Sequence, residues 1–232
     1  MKTILYTTGT TGNPTPVFYG EKDWKGINKC AEEFREIYNG EQGIIYNFFP
    51  HSSNIGYWIV HQYAELTNSL VIELGMIKPE QAKELFKEFP PVYIAGLSMH
   101  LPSVLAEGKD FLGKLKHLIV SKGLNGKLEE LKKLVPKECV ITATYGTTEA
   151  RKAWTTCANI ESGYHVFDGG FKVGKGELTY KGIGTKDIGE VIEGTCPFCK
   201  RDCQRIMLDI KRMSENKTSE TVCGVKLSLE EK

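Results

Sequence analysis

Tyr6-Thr7-Thr8-Gly9-Thr10-Thr11-Gly12-Asn13-Pro14 is the stretch on which the fold turns. It follows an apolar run, Thr3-Ile4-Leu5, that suits a buried strand, and Pro16-Val17-Phe18-Tyr19 resumes the apolar pattern beyond it. Two glycines three residues apart stand among four threonines. Glycine permits positive φ and lets backbone approach a ligand closely. Successive backbone N–H groups in such a turn form an anion-binding concavity, and threonine hydroxyls add donors. The stretch suits a polyphosphate. The same composition also describes an ordinary hairpin loop, and no Gly-Lys-Ser/Thr follows to make it a P-loop.

Outward from this loop, helical and extended patterns alternate. Trp24, Ile27, Ala31, Phe34 and Ile37 fall near helical spacing over residues 23–38, with Asp23 as cap and Asn39-Gly40 as terminator. Ile44-Ile45-Tyr46-Asn47-Phe48-Phe49 reads as a buried strand. Helices are expected over 56–66, 78–89, 101–107 and 126–135, the second with proline in its first turn. Strands are expected over 71–75, 92–96, 115–120 and 139–144. This alternation calls for an α/β fold with a mostly parallel sheet flanked by helices. Ligands on such sheets bind at the carboxyl ends of strands, which selects residues 9–12, 121–124 and 145–149. Past Glu149, glycine-rich alternating segments such as Tyr164-His165-Val166-Phe167 suggest a small antiparallel sheet. The expected organisation is an α/β nucleotide-binding core over 1–150, an antiparallel β subdomain over 151–195, and a cysteine cluster with a hinge-like tail over 196–232.

The chain of 232 residues is 41% hydrophobic and 25% charged, the composition of an ordinary globular protein. A net charge of +1 gives no pull toward nucleic acid or a membrane surface. No apolar run reaches spanning length, and the short apolar N-terminus does not read as a signal peptide, so a cytoplasmic location is expected. Of seven cysteines, Cys196, Cys199 and Cys203 cluster, which favours metal or redox chemistry over a disulfide framework. Cys196-Pro197-Phe198-Cys199 places two thiolates where they can share one tetrahedral ion. Cys203 is the expected third ligand and Cys223 the fourth, with Cys157 and His165 as alternatives for that last place. Structural Zn2+ is the leading reading; an iron–sulfur site and free thiols are its rivals.

Two further motifs follow the Thr/Gly loop in order: Tyr145-Gly146-Thr147-Thr148-Glu149, and Gly184-Thr185-Lys186-Asp187-Ile188-Gly189. The ordered trio resembles the adenylate-forming superfamily of acyl-CoA synthetases and luciferase-like enzymes. The cysteine stretch just beyond is similar to the phenylacetate-CoA ligase-like branch. The resemblance implies ATP-dependent, AMP-forming activation of a small-molecule carboxylate, with coenzyme A as an acceptor that stays open. It implies a catalytic role for Thr10 and for Glu149, the latter holding Mg2+, for which a strand-end carboxylate is suited. A helix-capping role is compatible with that glutamate. Nucleotide contacts are expected from Thr7, Thr8, Gly9, Thr10, Thr11 and Gly12, from Gly123 against adenine, and from Tyr145, Gly146, Thr147 and Thr148. Asp187 would accept the ribose hydroxyls, and Arg205 or Arg212 would follow it. His51 would lie beside the acyl substrate, where Tyr57 and Trp58 either line a pocket or belong to the core.

Two departures stand out. Thr15 occupies the place of the family's lysine, and Lys186 that of the glycine before the aspartate. The portion preceding the phosphate loop and the C-terminal lysine domain have no counterpart, so the chain resembles a minimal core. A homodimer or a partner chain is expected to supply what is missing. The alternatives are a non-catalytic ATP/AMP-binding subunit or sensor, and nucleotidyl transfer to a coenzyme hydroxyl.

Overall fold

The computed structural model describes residues 2–6, 16–38, 40–51, 55–121, 127–147, 150–174 and 176–212. β1 (Thr3–Tyr6) and β2 (Pro16–Tyr19) pair antiparallel across the Thr/Gly stretch. α1 (Glu21–Tyr38) follows. Its start lies two residues earlier than the pattern suggests, because the Asp23 carboxylate reaches back to the Gly20 N–H at 2.8 Å, a capping interaction from the third helical position. Then come β3 (Ile44–Asn47), α2 (Ile55–Leu66), β4 (Leu70–Glu73), α3 (Pro79–Glu88), β5 (Tyr93–Leu97), α4 (Leu101–Glu107), a 3-10 turn (Lys109–Lys114), β6 (His117–Ser121), α5 (Leu128–Leu134) and β7 (Val140–Thr147). Apart from the 3-10 turn, this is the expected alternation, with ends displaced by up to three residues.

The remaining elements are strands, apart from a second 3-10 turn (Ile160–Ser162) between the first two. They are β8 (Lys152–Thr155), β9 (Tyr164–Val166), β10 (Phe171–Gly174), β11 (Glu177–Tyr180), β12 (Ile183–Gly184), β13 (Asp187–Ile188), β14 (Val191–Ile192), β15 (Gln204–Ile206) and β16 (Lys211–Arg212). Among the described residues, nine strands form one sheet in the order β14-β15-β9-β8-β7-β6-β5-β3-β4. Pairing is parallel from β4 through β7 and antiparallel from β7 through β14. β8 and β9 therefore extend the main sheet. The small antiparallel sheet is β10-β11-β12, and β13 pairs with β16.

Strand alternation assigns each face. Tyr46, Ile94, Leu118 and Ile141 stand opposite one another across β3, β5, β6 and β7. They pack with Ala82 and Phe86 of α3, Val104 and Leu105 of α4 and Leu131 of α5. Trp154, Tyr164, Phe171, Leu178 and Tyr180 continue this core toward the small sheet. Ile45, Tyr93, Ala95, Ile119 and Ala153 face the other way, against Ile27, Cys30, Ala31 and Phe34 of α1 and Ile59, Val60 and Tyr63 of α2. The result is a helix–sheet–helix sandwich. No described helix is long and apolar enough to cross a membrane.

Candidate functional site

Alternation along β7 sends Ile141, Ala143 and Tyr145 to the face shared with the small sheet. Tyr145 lies there at the carboxyl end of the last parallel strand. Its ring is stacked on Trp154 at 5.7 Å and tilted against Tyr164 at 5.7 Å and Phe171 at 6.4 Å. Its hydroxyl donates to Asp187 Oδ2 at 2.7 Å. Two residues 42 apart in sequence, both singled out from separate motifs, thus meet.

Asp187 is 5% exposed. A buried hinge of hydrogen bonds sets its position. The Thr185 hydroxyl donates to the Leu178 carbonyl at 2.8 Å and accepts the Asp187 N–H at 3.3 Å. Between them Lys186 is held at φ +59°, its N–H donating to Glu177 Oε1 at 2.7 Å. The glycine that the resemblance calls for at 186 is absent, yet the left-handed backbone that glycine favours is retained.

The neighbours of Tyr145 in its motif have structural partners. A Cβ on Gly146 would lie 3.0 Å from Ala153 Cβ and 3.2 Å from Ile55 Cγ2, so the close packing of β7, β8 and α2 favours glycine there. Thr147 is buried, and its hydroxyl accepts the Ala150 N–H at 2.9 Å. The other nucleotide and catalytic candidates, Thr7, Thr8, Gly9, Thr10, Thr11, Gly12, Gly123, Thr148 and Glu149, lie outside the described residues.

His51 follows β3, exposed, its ring 5.1 Å from that of Tyr57 and packed over Gly75, where a Cβ would come within 3.0 Å of it. Beside it lies a network that the sequence reading missed. Asn47, fully buried at the end of β3, donates to Glu73 Oε2 at the end of β4 at 3.2 Å and to the Tyr57 carbonyl at 3.2 Å. His61 Nδ1 donates to Glu73 Oε1 at 2.8 Å. Burial, with Glu73 adding to it, pushes the Tyr57 phenol up to about 12. The available signal was a polar residue closing each apolar strand run, Ile44-Ile45-Tyr46-Asn47 and Leu70-Val71-Ile72-Glu73. Trp58, edge-on to Trp24 at 5.0 Å, packs against the α1–α2 core.

On the opposite face of β8, β9 and β15 a second constellation forms. Cys157, His165, Cys196 and Cys199 bring one ligand atom each to within 4.8 Å of one another. His165 Nε2 is 3.2 Å from Cys199 Sγ, and Cys157 Sγ is 3.1 Å from Ser162 Oγ. Burial, reinforced by Arg205, holds the His165 imidazole down near about 4, hence neutral. Burial raises the Cys196 thiol, but N–H groups of Cys199 and Phe198 outweigh it and bring it to about 7. Cys203 stands outside this group, its thiol pushed up by burial to about 11, and Cys223 lies outside the described residues.

Arg205 also belongs to this face and not to that of Tyr145. In the register of β15 with β9 it stands opposite His165. It is 8% exposed and donates to the Ser162 carbonyl at 3.2 Å. Its neighbour Ile206 instead stands opposite Tyr164, in the core beneath Tyr145. Of the two candidate arginines, Arg212 is the one whose backbone pairs with Asp187, through β13 and β16.

No family model matches the chain, and no curated protein matches it in sequence. Solved structures are similar in fold. 2-Hydroxyisobutyryl-CoA ligase, in complex with 2-HIB-AMP and CoA, superimposes with a TM-score of 0.70 at 17% identity, over 92% of this chain and 52% of that one. An AMP-forming acyl-CoA synthetase/AMP-acid ligase II-like protein from Dyadobacter fermentans gives 0.61 at 15% identity, over 89% of this chain and 59% of that one. VinN, in complex with L-aspartate, gives 0.52 at 16% identity, over 67% and 39%. The chain spans about half the length of 2-hydroxyisobutyryl-CoA ligase and shares the fold of adenylate-forming ligases.

Proposed function

We propose that the chain binds ATP and catalyses AMP-forming activation of a carboxylate. A carboxylate oxygen attacks the α-phosphorus, the new O–P bond forms, and the P–O bond to pyrophosphate breaks with its electron pair leaving on pyrophosphate. The observation that carries this is the hydrogen bond from Tyr145 to a buried Asp187, made at the carboxyl end of a parallel strand, in a fold shared with ligases whose structures hold an acyl-adenylate.

Each residue then has a task. Asp187, an acceptor-only carboxylate when ionised, suits a ribose diol, and the Tyr145 hydroxyl fixes its orientation. The Tyr145 ring, held by Trp154, Tyr164 and Phe171, would lie beside adenine. The Thr7–Thr11 hydroxyls and the backbone around Gly9 and Gly12 would donate to the phosphates, whose charge grows in the transition state. Glu149 would hold Mg2+, which neutralises phosphate charge when bound. His51 and Tyr57, whose rings lie 5.1 Å apart, would line the acyl site. Coenzyme A is the acceptor we assign to a second step, by analogy with the CoA held by the ligase of like fold.

A second reading is favoured by one observation. Thr15 removes the cation that the family places beside the phosphates, which points to a nucleotide-binding subunit without catalysis. Pyrophosphate exchange into ATP, run over a panel of carboxylic acids, separates the two. Exchange with at least one acid, reduced a hundredfold or more in Glu149→Ala, is expected. Tight ATP binding with no exchange on any acid would replace the enzyme with the binding subunit.

A further inference from the structure

We propose that Cys157, His165, Cys196 and Cys199 bind a single zinc ion. Neither Cys203 nor Cys223 belongs to this ligand set. The assignment stands apart from the proposed nucleotide site, since His165 alternates along β9 to the face opposite Tyr164 and the core that packs against Tyr145.

Three observations converge. The first is distance. Sulfurs about 2.3 Å and an imidazole nitrogen about 2.0–2.1 Å from one tetrahedral ion lie roughly 3.5–3.8 Å apart. The four ligand atoms already lie within 4.8 Å of one another, so less than about an ångström of settling closes the shell. The second is the turn that carries two of them. The Lys200 N–H donates to the Cys196 carbonyl at 3.0 Å, and the Cys196 N–H to the Arg201 carbonyl at 2.8 Å. Lys200 sits at φ +62°, so the turn from Cys196 to Arg201 curls tightly enough to aim both thiols at one point. The third is burial. Cys196 is 0%, His165 1% and Cys157 3% exposed, and His165 Nδ1 has no hydrogen-bond partner among the described residues. Three sulfurs and a nitrogen with no oxygen form a donor set that favours zinc over magnesium or calcium.

The position of the ligands says what the ion does. Cys157 follows β8, His165 is central in β9, and Cys196 and Cys199 lie in the turn between β14 and β15. One ion ties together the ends of strands that a short register alone joins: β8 and β9 share a single residue pair, Thr155 with His165.

Untagged protein, purified without added metal, tests this by elemental analysis and by X-ray absorption at the zinc edge. The expected result is zinc in about equal number to chains, with a first shell of three sulfurs and one nitrogen. The absorption measurement uses the unaltered chain, so it decides even if a ligand variant fails to fold. Cys157→Ser and His165→Gln should each lower zinc content at least tenfold, while Cys203→Ser keeps it. Protein free of zinc, iron in its place, a shell of four sulfurs, or loss of zinc in Cys203→Ser with retention in Cys157→Ser would each overturn the assignment.

Discussion

Lys186 shows how a motif can survive the loss of its defining residue. The backbone there stays at φ +59°, a conformation that costs a side-chain-bearing residue roughly 1–2 kcal/mol. Thr185 and Glu177 hold the turn through hydrogen bonds that do not involve the lysine side chain. Glycine would remove that strain, against roughly 0.5–1 kcal/mol of added chain entropy in the unfolded state. Lys186→Gly should therefore stabilise the fold by about 0.5–1 kcal/mol, read from the urea midpoint at unchanged slope. A lower midpoint would mean that the lysine side chain makes a contact worth more than its backbone strain. At this scale the sequence was uneven. Asp187 and Tyr145 could be singled out because each sits in a short motif whose spacing is local, and the two meet in the fold. Arg205 was not, because the face a strand residue occupies depends on its pairing partner, and sequence alone gives β15 no register. Cys157 and His165 stayed alternatives for the same reason: a loop closing beside a distant turn leaves no local spacing to count.

Between elements, α1 is joined to the sheet by polar groups that burial makes sensitive. His117 of β6 is 4% exposed, its Nε2 hydrogen-bonded to the Thr142 hydroxyl of β7 at 2.8 Å, its ring edge-on to Tyr38 of α1 at 4.2 Å. Burial lowers it from 6.5 to about 3. The folded chain thus keeps this imidazole neutral where the unfolded chain protonates it. The group costs no stability above about pH 6.5. Below that the unfolded state binds the extra proton, and stability falls as pH falls, by about 1.4 kcal/mol per unit, until the folded group titrates near pH 3. His117→Gln, which keeps an amide for Thr142, should show a shallower loss of stability between pH 6 and pH 4 in urea titrations. Parallel curves for the two proteins would remove His117 from the acid response. The helices and parallel strands were legible for a different reason from the motifs: their 3.6- and 2-residue periods are written into the chain wherever a face is buried. What periodicity could not reveal was partnership, and β8, β9, β14 and β15, each only two to four residues long, join the main sheet instead of a separate one.

At the scale of the whole molecule, binding and folding are coupled, and that gives the proposed nucleotide site a test that does not require turnover. A ligand that binds only the folded state adds about 2.7 kcal/mol at a hundredfold excess over its dissociation constant. For a chain of 232 residues, each kcal/mol raises the melting temperature by about 2–4 °C, so saturating ATP with Mg2+ should raise it by about 5–10 °C. Tyr145→Phe keeps the stacked ring on Trp154 and Tyr164 and removes only the donor to Asp187 Oδ2. A hydrogen bond to a charged group contributes about 1.5 kcal/mol or more, roughly tenfold in affinity. At the same ATP concentration the excess then falls to about tenfold, and the shift should shrink by about half. Scanning calorimetry on both proteins, with and without nucleotide, measures the two shifts together. An unaltered melting temperature in the unmodified protein would remove ATP from this site, whereas equal shifts in both proteins would leave ATP bound and take Asp187 out of its recognition.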